Sequence, residues 1–200
     1  MRIETVNFNI YSVEDLELEE NKELKEKVLD KHRYINVEDY SLTEFDEGYN
    51  IFLNEHGFLN ADISYDVSYC QGSGACFDCK EFDLNLLLKD FDIKHKQWLI
   101  NIIQDYAEIE IKRNSFGYHY CHSNTRDLNI YFYDRGFHSH NRIDREIQKI
   151  AEYLEKLRKD LSDELYDMLQ KDYDYQTSDE AVMETLQANE YEFDESGKIF

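Results

Sequence analysis

The sequence predicts an α+β fold: an antiparallel sheet of about five strands covered by helices on one face, with a long C-terminal amphipathic helix. Apolar and polar residues alternate at residues 61–69, as in a half-buried strand. Apolar residues recur every three or four positions through residues 142–171, as on one side of a helix. With 200 residues, 42% of them hydrophobic, the chain can bury a sizeable core. We therefore predict a single α+β domain over residues 1–200.

Local patterns predict an element for almost every part of the chain. In chain order these are a strand at residues 1–11, a helix ending near residue 32, a helix at 37–56, strands at 61–69 and 75–82, helices at 83–91 and 93–106, strands at 108–112, 117–122 and 127–133, helices at 142–171 and 179–189, and a hairpin of 191–193 with 198–200.

Residues at the element ends support several of these boundaries. Ser12 or Asn21 can cap the first helix, and Thr177 or Ser178 can cap the last one, because a side-chain oxygen can accept from a free backbone N–H of the first turn. Gly57 suits the left-handed residue that often follows a helix.

The same periodicities predict which side chains face inward. Ile63, Tyr65 and Val67 share one face of their strand. In the helix at residues 93–106, Trp98 is expected to face the core beside Leu99.

The balance of charge excludes one class of function. Asp and Glu number 44 and Lys and Arg 22, which gives a net charge of −22. A passive nucleic-acid binder needs a basic surface, so we expect no direct contact with nucleic acid. Apolar runs such as residues 84–88 fall short of the roughly 18–20 residues that cross a bilayer, and the first residues lack a signal-peptide pattern. We therefore expect a cytoplasmic protein with reduced cysteines and no membrane contact.

Three segments resemble a widespread family of tailed-phage proteins of unassigned function. They are Lys31-His-Arg-Tyr-Ile-Asn-Val37, Cys70-Gln-Gly-Ser-Gly-Ala-Cys-Phe77 and His119-Tyr-Cys-His-Ser123. Members are often labelled as an antitoxin of a toxin-antitoxin stability system. The resemblance covers most of the chain and implies a phage protein acting in the host cytoplasm. The family turn tends to read Gln-Gly-Asp-Gly-Ala, whereas this chain has Ser73 in place of the Asp.

The second and third of these segments predict a ligand pocket if they meet in the fold. Strands separated by two helices often become neighbours, and the exposed amides of a glycine turn can hold an anion beside imidazoles that act as bases. The candidate ligand-binding residues are Gln71, Gly72, Ser73, Gly74, His119 and His122. An ordinary glycine turn beside two surface histidines remains the alternative interpretation.

Metal binding is a further possibility that the sequence makes less favourable. Cys76 and Cys79 have the spacing of a zinc knuckle, and Cys121 with the two histidines can complete four ligands. In a regular strand, however, positions 76 and 79 point to opposite faces. We therefore expect free cysteines and predict no metal and no cofactor.

The acid-rich helical segment at residues 160–196 is the most informative feature. It carries 13 acidic residues and one Lys, a net charge of −12, while the rest of the chain carries only −10. Such a surface can attract a basic partner, although a solvated helix face that aids solubility is the plainer interpretation. The residues expected to contact a partner are Asp160, Asp163, Glu164, Asp167, Asp172 and Asp174.

Three functional hypotheses follow from these features. The leading one is a non-enzymatic phage accessory protein whose acidic surface binds and blocks a basic, nucleic-acid-handling host defence protein or toxin. The second is a small-molecule or nucleotide pocket, catalytic or sequestering, at the glycine turn. The third is a structural zinc protein.

Overall fold

The computed structural model describes residues 9–38, 42–67, 72–115, 120–133 and 141–200 and contains both helices and strands. The helices are α1 (Val13–Leu16), α2 (Lys22–His32), α3 (Ile35–Glu38), α4 (Leu42–Glu55), α5 (Leu84–Leu87), α6 (Lys96–Tyr106), α7 (Asn141–Gln176) and α8 (Asp179–Ala188). The strands are β1 (Phe58–Leu59), β2 (Asp62–Asp66), β3 (Gly74–Asp78), β4 (Glu81–Phe82), β5 (Ala107–Arg113) and β6 (Arg126–Phe132). The predicted mixture of helix and strand, with a long C-terminal helix, is confirmed.

The prediction of a five-stranded sheet is wrong. Within the described residues the strands pair two by two and antiparallel, as β1 with β4, β2 with β3, and β5 with β6. The predicted strand at residues 75–82 is interrupted, because the backbone of Cys79 instead exchanges hydrogen bonds of 3.1 and 2.8 Å with Ile111. Of the predicted strand at 117–122, residues 117–119 lie outside the described part and residues 120–122 form no strand.

Helix ends follow the capping signals of the sequence. The Ser12 side chain accepts from the Asp15 amide and the Asp15 carboxylate accepts in return, so α1 begins with a capping box. Ser178 accepts from the Ala181 amide at the start of α8. Gly57 follows α4 with φ +91°, a left-handed conformation that favours glycine. The predicted starts at Ser12 and Ser178 and the predicted end at Gly57 are therefore confirmed. The predicted first helix is instead divided into α1 and α2, and Asn21, which precedes α2, makes no side-chain cap hydrogen bond. Part of the predicted helix at 37–56 lies outside the described residues.

The chain divides into two compact units, which we call the terminal unit (Met1–Ser41 with Lys171–Phe200) and the central unit (Leu42–Gln170). The core of the central unit includes Phe58, Phe77, Leu99 and Leu154. Each unit has its own cluster of buried side chains, and the single domain over residues 1–200 stays a prediction.

Within the terminal unit, α1, α2 and α8 pack around Val28, Val182 and Phe193. Tyr11 pairs with Phe193, and Phe193 also pairs with Ile199, so the predicted terminal hairpin forms as single bridges. Of the first predicted strand, residues 1–8 lie outside the described part.

The expectation that Trp98 faces the core is wrong, because its side chain is 50% exposed. Four other apolar residues of α6 are buried, namely Leu99, Ile100, Ile102 and Ile103. At 100° per residue, Ile100 lies on the far side of this buried face from Trp98, so the stripe is rotated away from the tryptophan.

None of the helices in the described residues combines the length and the apolar character that a membrane crossing requires.

Candidate functional site

The glycine turn and the segment at residues 120–122 lie against each other. The Cys121 amide donates to the Gly72 carbonyl at 3.2 Å. A Cβ atom at Gly74 would lie 2.7 Å from the Cys121 carbonyl oxygen, so only glycine allows this approach. Gln71 and His119 lie outside the described residues. The structure thus brings Gly72 and Gly74 next to the His122 segment, and their role in ligand binding stays a prediction.

His122 is held mainly through its backbone. Its carbonyl accepts from the amide of Thr125 at 2.9 Å and from the Thr125 hydroxyl at 2.8 Å. The His122 ring lies 6.0 Å from the ring of Tyr120, nearly parallel to it. Because Thr125 is almost fully buried, this short 3-10 turn fixes the main chain at His122 and leaves the imidazole half-buried.

Cys76 and Cys79 are both buried, and each side chain contacts different partners. The Thr125 hydroxyl donates to Cys76 Sγ, and that thiol contacts the Ser64 carbonyl, both at 3.6 Å. Cys79 Sγ lies 3.4 Å from the carbonyl oxygen of Leu59. Burial raises the pKa of the Cys76 thiol, and it raises that of Cys79 to about 11.

These thiols do not resemble a metal centre. Burial raises the pKa of both thiols, so they stay protonated near neutral pH and are poor nucleophiles. Among the described residues, no group of three or more His, Cys, Asp or Glu side chains is placed to hold an ion. No observation in this part of the chain therefore favours the zinc hypothesis.

Arg126 is a fully buried charge at the start of β6. Its Nε atom lies 2.8 Å from Asp78 Oδ1, an ion pair in which the two atoms are not aligned as a hydrogen bond. Its Nη2 atom donates to Ser64 Oγ at 3.3 Å, and Nη1 donates to Thr125 Oγ1 at 3.3 Å. The guanidinium therefore joins β2, β3 and β6 with the 3-10 turn that carries Thr125.

Arg158 of α7 is the second fully buried arginine of the central unit. It donates to both carboxylate oxygens of Glu155, at 2.9 and 2.7 Å, and to the Ser123 carbonyl at 2.8 Å. Burial pushes the pKa of Glu155 up, but the hydrogen bonds and charge of Arg158 outweigh it, so the net pKa is lowered. Arg158 thus ties α7 to the 3-10 turn at residues 123–125.

These two arginines were not among the residues predicted from the sequence. The signal in the sequence was that each arginine falls on the apolar side of its element. Arg158 follows Leu154 by four positions, and Arg126 shares a strand face with Leu128 and Ile130. A charge in phase with an apolar stripe is either buried with a partner or lies at the edge of the stripe.

Four carboxylates of α7 form the second candidate site, which we call the acid face: Asp160, Asp163, Glu164 and Asp167. All four are exposed, on the side of the helix opposite the buried residues Leu161 and Leu165. No salt bridge joins any of the four to another described residue. The other two predicted contact residues, Asp172 and Asp174, are also exposed but belong to the terminal unit.

Comparison with known families places the central unit in context. Residues 43–179, more than half of the chain, match the model of the domain of unknown function DUF8835. The chain belongs to the DUF8835 family. The family match includes the glycine turn, both buried arginines and the acid face, whereas α1 and α2 lie before it. No curated protein and no solved structure matches the chain.

Proposed function

We propose that the protein binds a basic protein through the acid face of α7 and blocks it. The partner class is a nucleic-acid-handling host defence protein or toxin, and the phage setting rests on the family resemblance described above. The observation that carries the proposal is the exposure of four carboxylates on one side of α7, none of which forms a salt bridge with a described residue, while the other side of the helix buries Leu161 and Leu165.

The physical support is the repulsion within the acid face. Asp160 and Glu164, and likewise Asp163 and Asp167, are four residues apart on the helix. Like charges at this spacing cost a helix roughly 0.2–0.5 kcal/mol per pair. A cationic partner relieves this repulsion on binding, and that relief adds to the favourable free energy of association.

The acid face suits competition for a basic surface rather than imitation of a whole duplex. Its four charges extend along about 10 Å of helix at 1.5 Å per residue. This charge density is lower than that of duplex DNA, which carries roughly one negative charge per 1.7 Å. A nucleic-acid-handling protein presents Lys and Arg where phosphates bind. Occupying even part of such a surface would block substrate entry.

The test is the association kinetics of the captured partner. The tagged protein is used to recover binding proteins from host lysate, and the partner identified by mass spectrometry is purified. We expect the variant D160N/E164Q/D167N to associate roughly tenfold more slowly at low salt, with a much smaller change in dissociation rate. The difference should disappear near 1 M salt, where the Debye length is about 3 Å.

A matched control keeps the change in total charge constant. D92N/D105N/E108Q also removes three exposed carboxylates from the central unit. We expect it to associate at nearly the parent rate. Equal slowing in both variants would show that only net charge matters and would contradict the acid face as the binding site.

A pocket at the glycine turn remains the second candidate, because Gly74 and His122 are in direct proximity. If the pocket binds an anion, phosphate or a nucleotide should raise the melting temperature of the parent, and His122→Ala should abolish that rise. Thermal-shift measurements at pH 5.5 and 8 would check this. The absence of any ligand-induced shift in the parent would contradict the pocket.

A further inference from the structure

A groove with an acidic rim lies in the terminal unit between α1, α2 and α8. It has a volume of about 390 Å³ and contacts the side chains of Val13 and Met183. Three exposed carboxylates border it, Glu14 from α1 and Glu180 and Glu184 from α8. We call this feature the terminal groove.

The terminal groove continues into a second cavity of about 360 Å³. The two cavities share Glu17, Lys25 and Asp179 in their linings, and the second also contacts Leu18. The Leu18 side chain is 48% exposed, which adds an apolar surface at this end. Apolar side chains therefore line both cavities, Met183 in the first and Leu18 in the second.

The charges around the terminal groove divide into paired and unpaired carboxylates. Glu17 is 2.7 Å from Lys25 Nζ, and Asp179 is 3.0 Å from Arg33 Nη2. No salt bridge to another described residue engages Glu14, Glu180 or Glu184. The three carboxylates thus form no salt bridge with a described residue, and Lys25, which also lines the groove, is paired with Glu17.

We propose that the terminal groove docks a basic segment of a partner protein, with an apolar side chain seated on Val13 and Met183 between Lys or Arg residues. This inference rests on the proposed function, since it supposes a basic protein partner, and it names a second surface and the partner chemistry that this surface selects. Charge complementarity excludes nucleic acid, and the apolar floor distinguishes such a segment from a purely cationic chain.

The experiment uses the full chain and two synthetic peptides of equal charge. One peptide has Leu flanked on both sides by Arg, and in the other Ser replaces Leu. In an NMR titration we expect the Leu peptide to shift signals of Val13 and Met183 and to bind several-fold more tightly than the Ser peptide. Equal affinity of the two peptides, or shifts confined to other residues, would overturn the proposal.

Two variants separate the effect of the carboxylates at the groove from the effect of total charge. We expect E14Q/E180Q/E184Q to weaken binding of the Leu peptide roughly tenfold, which corresponds to about 1.4 kcal/mol. The control E23Q/E190Q/E192Q removes three exposed carboxylates of the same unit and should change the affinity less than about twofold. An equal loss in both variants would overturn the proposal.

The acid-face variant D160N/E164Q/D167N distinguishes the two surfaces. We call E14Q/E180Q/E184Q the rim variant. If the acid-face variant still binds the Leu peptide while the rim variant does not, the terminal groove is supported, whatever the result for the captured partner. If it loses the peptide while the rim variant retains it, the terminal groove is overturned and the acid face stands. If the parent binds neither peptide, the terminal groove is overturned, and association of the captured partner still tests the acid face separately.

Discussion

Arg158→Met is expected to lower the free energy of unfolding by about 3 kcal/mol, because it leaves the partly buried Glu155 carboxylate without its two strongest hydrogen bonds. It also leaves the Ser123 carbonyl without the 2.8 Å hydrogen bond from Nη1. Lys159 lies 3.3 Å from Glu155 and still partly compensates its charge in the variant. The expected loss of stability is therefore at the low end of the range for broken buried ion pairs. Urea unfolding monitored by circular dichroism measures the change.

The pH dependence of the same variant follows from the lowered pKa of Glu155. The stabilisation by this pair is fully present above the ordinary Glu pKa of about 4.3 and is lost as pH falls through the folded value. The difference in the free energy of unfolding between the parent and Arg158→Met should therefore become smaller below about pH 4.

Two further variants test whether the buried pair is responsible. Lys156→Met removes an exposed cation from the same helix and should change stability by no more than about 0.5 kcal/mol. Adding Glu155→Gln to Arg158→Met removes the uncompensated charge and should recover part of the loss. A double variant no more stable than Arg158→Met alone would contradict this account.

The parts of the fold that the sequence predicts well have strong local signals. The apolar spacing at residues 142–171 predicts α7, and Ser12, Gly57 and Ser178 mark helix ends by their own backbone chemistry. Strand pairing depends on distant partners instead. Residues 75–82 have the composition of one strand, but the pairing of Cys79 with Ile111 divides it, and no local pattern contains that information.

In the candidate site, too, local features could be predicted from the sequence and contacts between distant residues could not. The glycines at positions 72 and 74 predict a turn and leave open whether it meets the second segment, and the structure brings residues 120–122 to these glycines. The buried arginines were missed because Arg is ordinarily a surface residue. The orientation of α6 was missed because adjacent apolar residues from Trp98 to Ile103 cover more than one helix face, so periodicity alone cannot select the buried one.

Gly74→Ala is expected to lower the free energy of unfolding by about 2–3 kcal/mol, since overpacking at a rigid contact costs typically 1–3 kcal/mol. The new Cβ would lie 2.7 Å from the Cys121 carbonyl oxygen and 2.8 Å from His122 Cα, and these backbone atoms cannot rotate away. The glycine turn and the segment at residues 120–122 would have to separate. Urea unfolding measures the loss, and NMR signals of His122 and Thr125 report the local displacement.

Two other glycines provide matched controls for this prediction. A Cβ at Gly72 would meet the ring of Tyr120, a side chain 48% exposed that can turn aside, so Gly72→Ala should cost less than Gly74→Ala. Gly48 lies within α4 with nothing within 4 Å of an added Cβ, so Gly48→Ala should raise stability by roughly 0.5–1 kcal/mol. Equal losses at positions 72 and 74 would show that chain flexibility, rather than the fixed contact with residues 121 and 122, sets the requirement for glycine. The order Gly74, Gly72, Gly48, from most to least destabilising, is the outcome that the contact geometry requires.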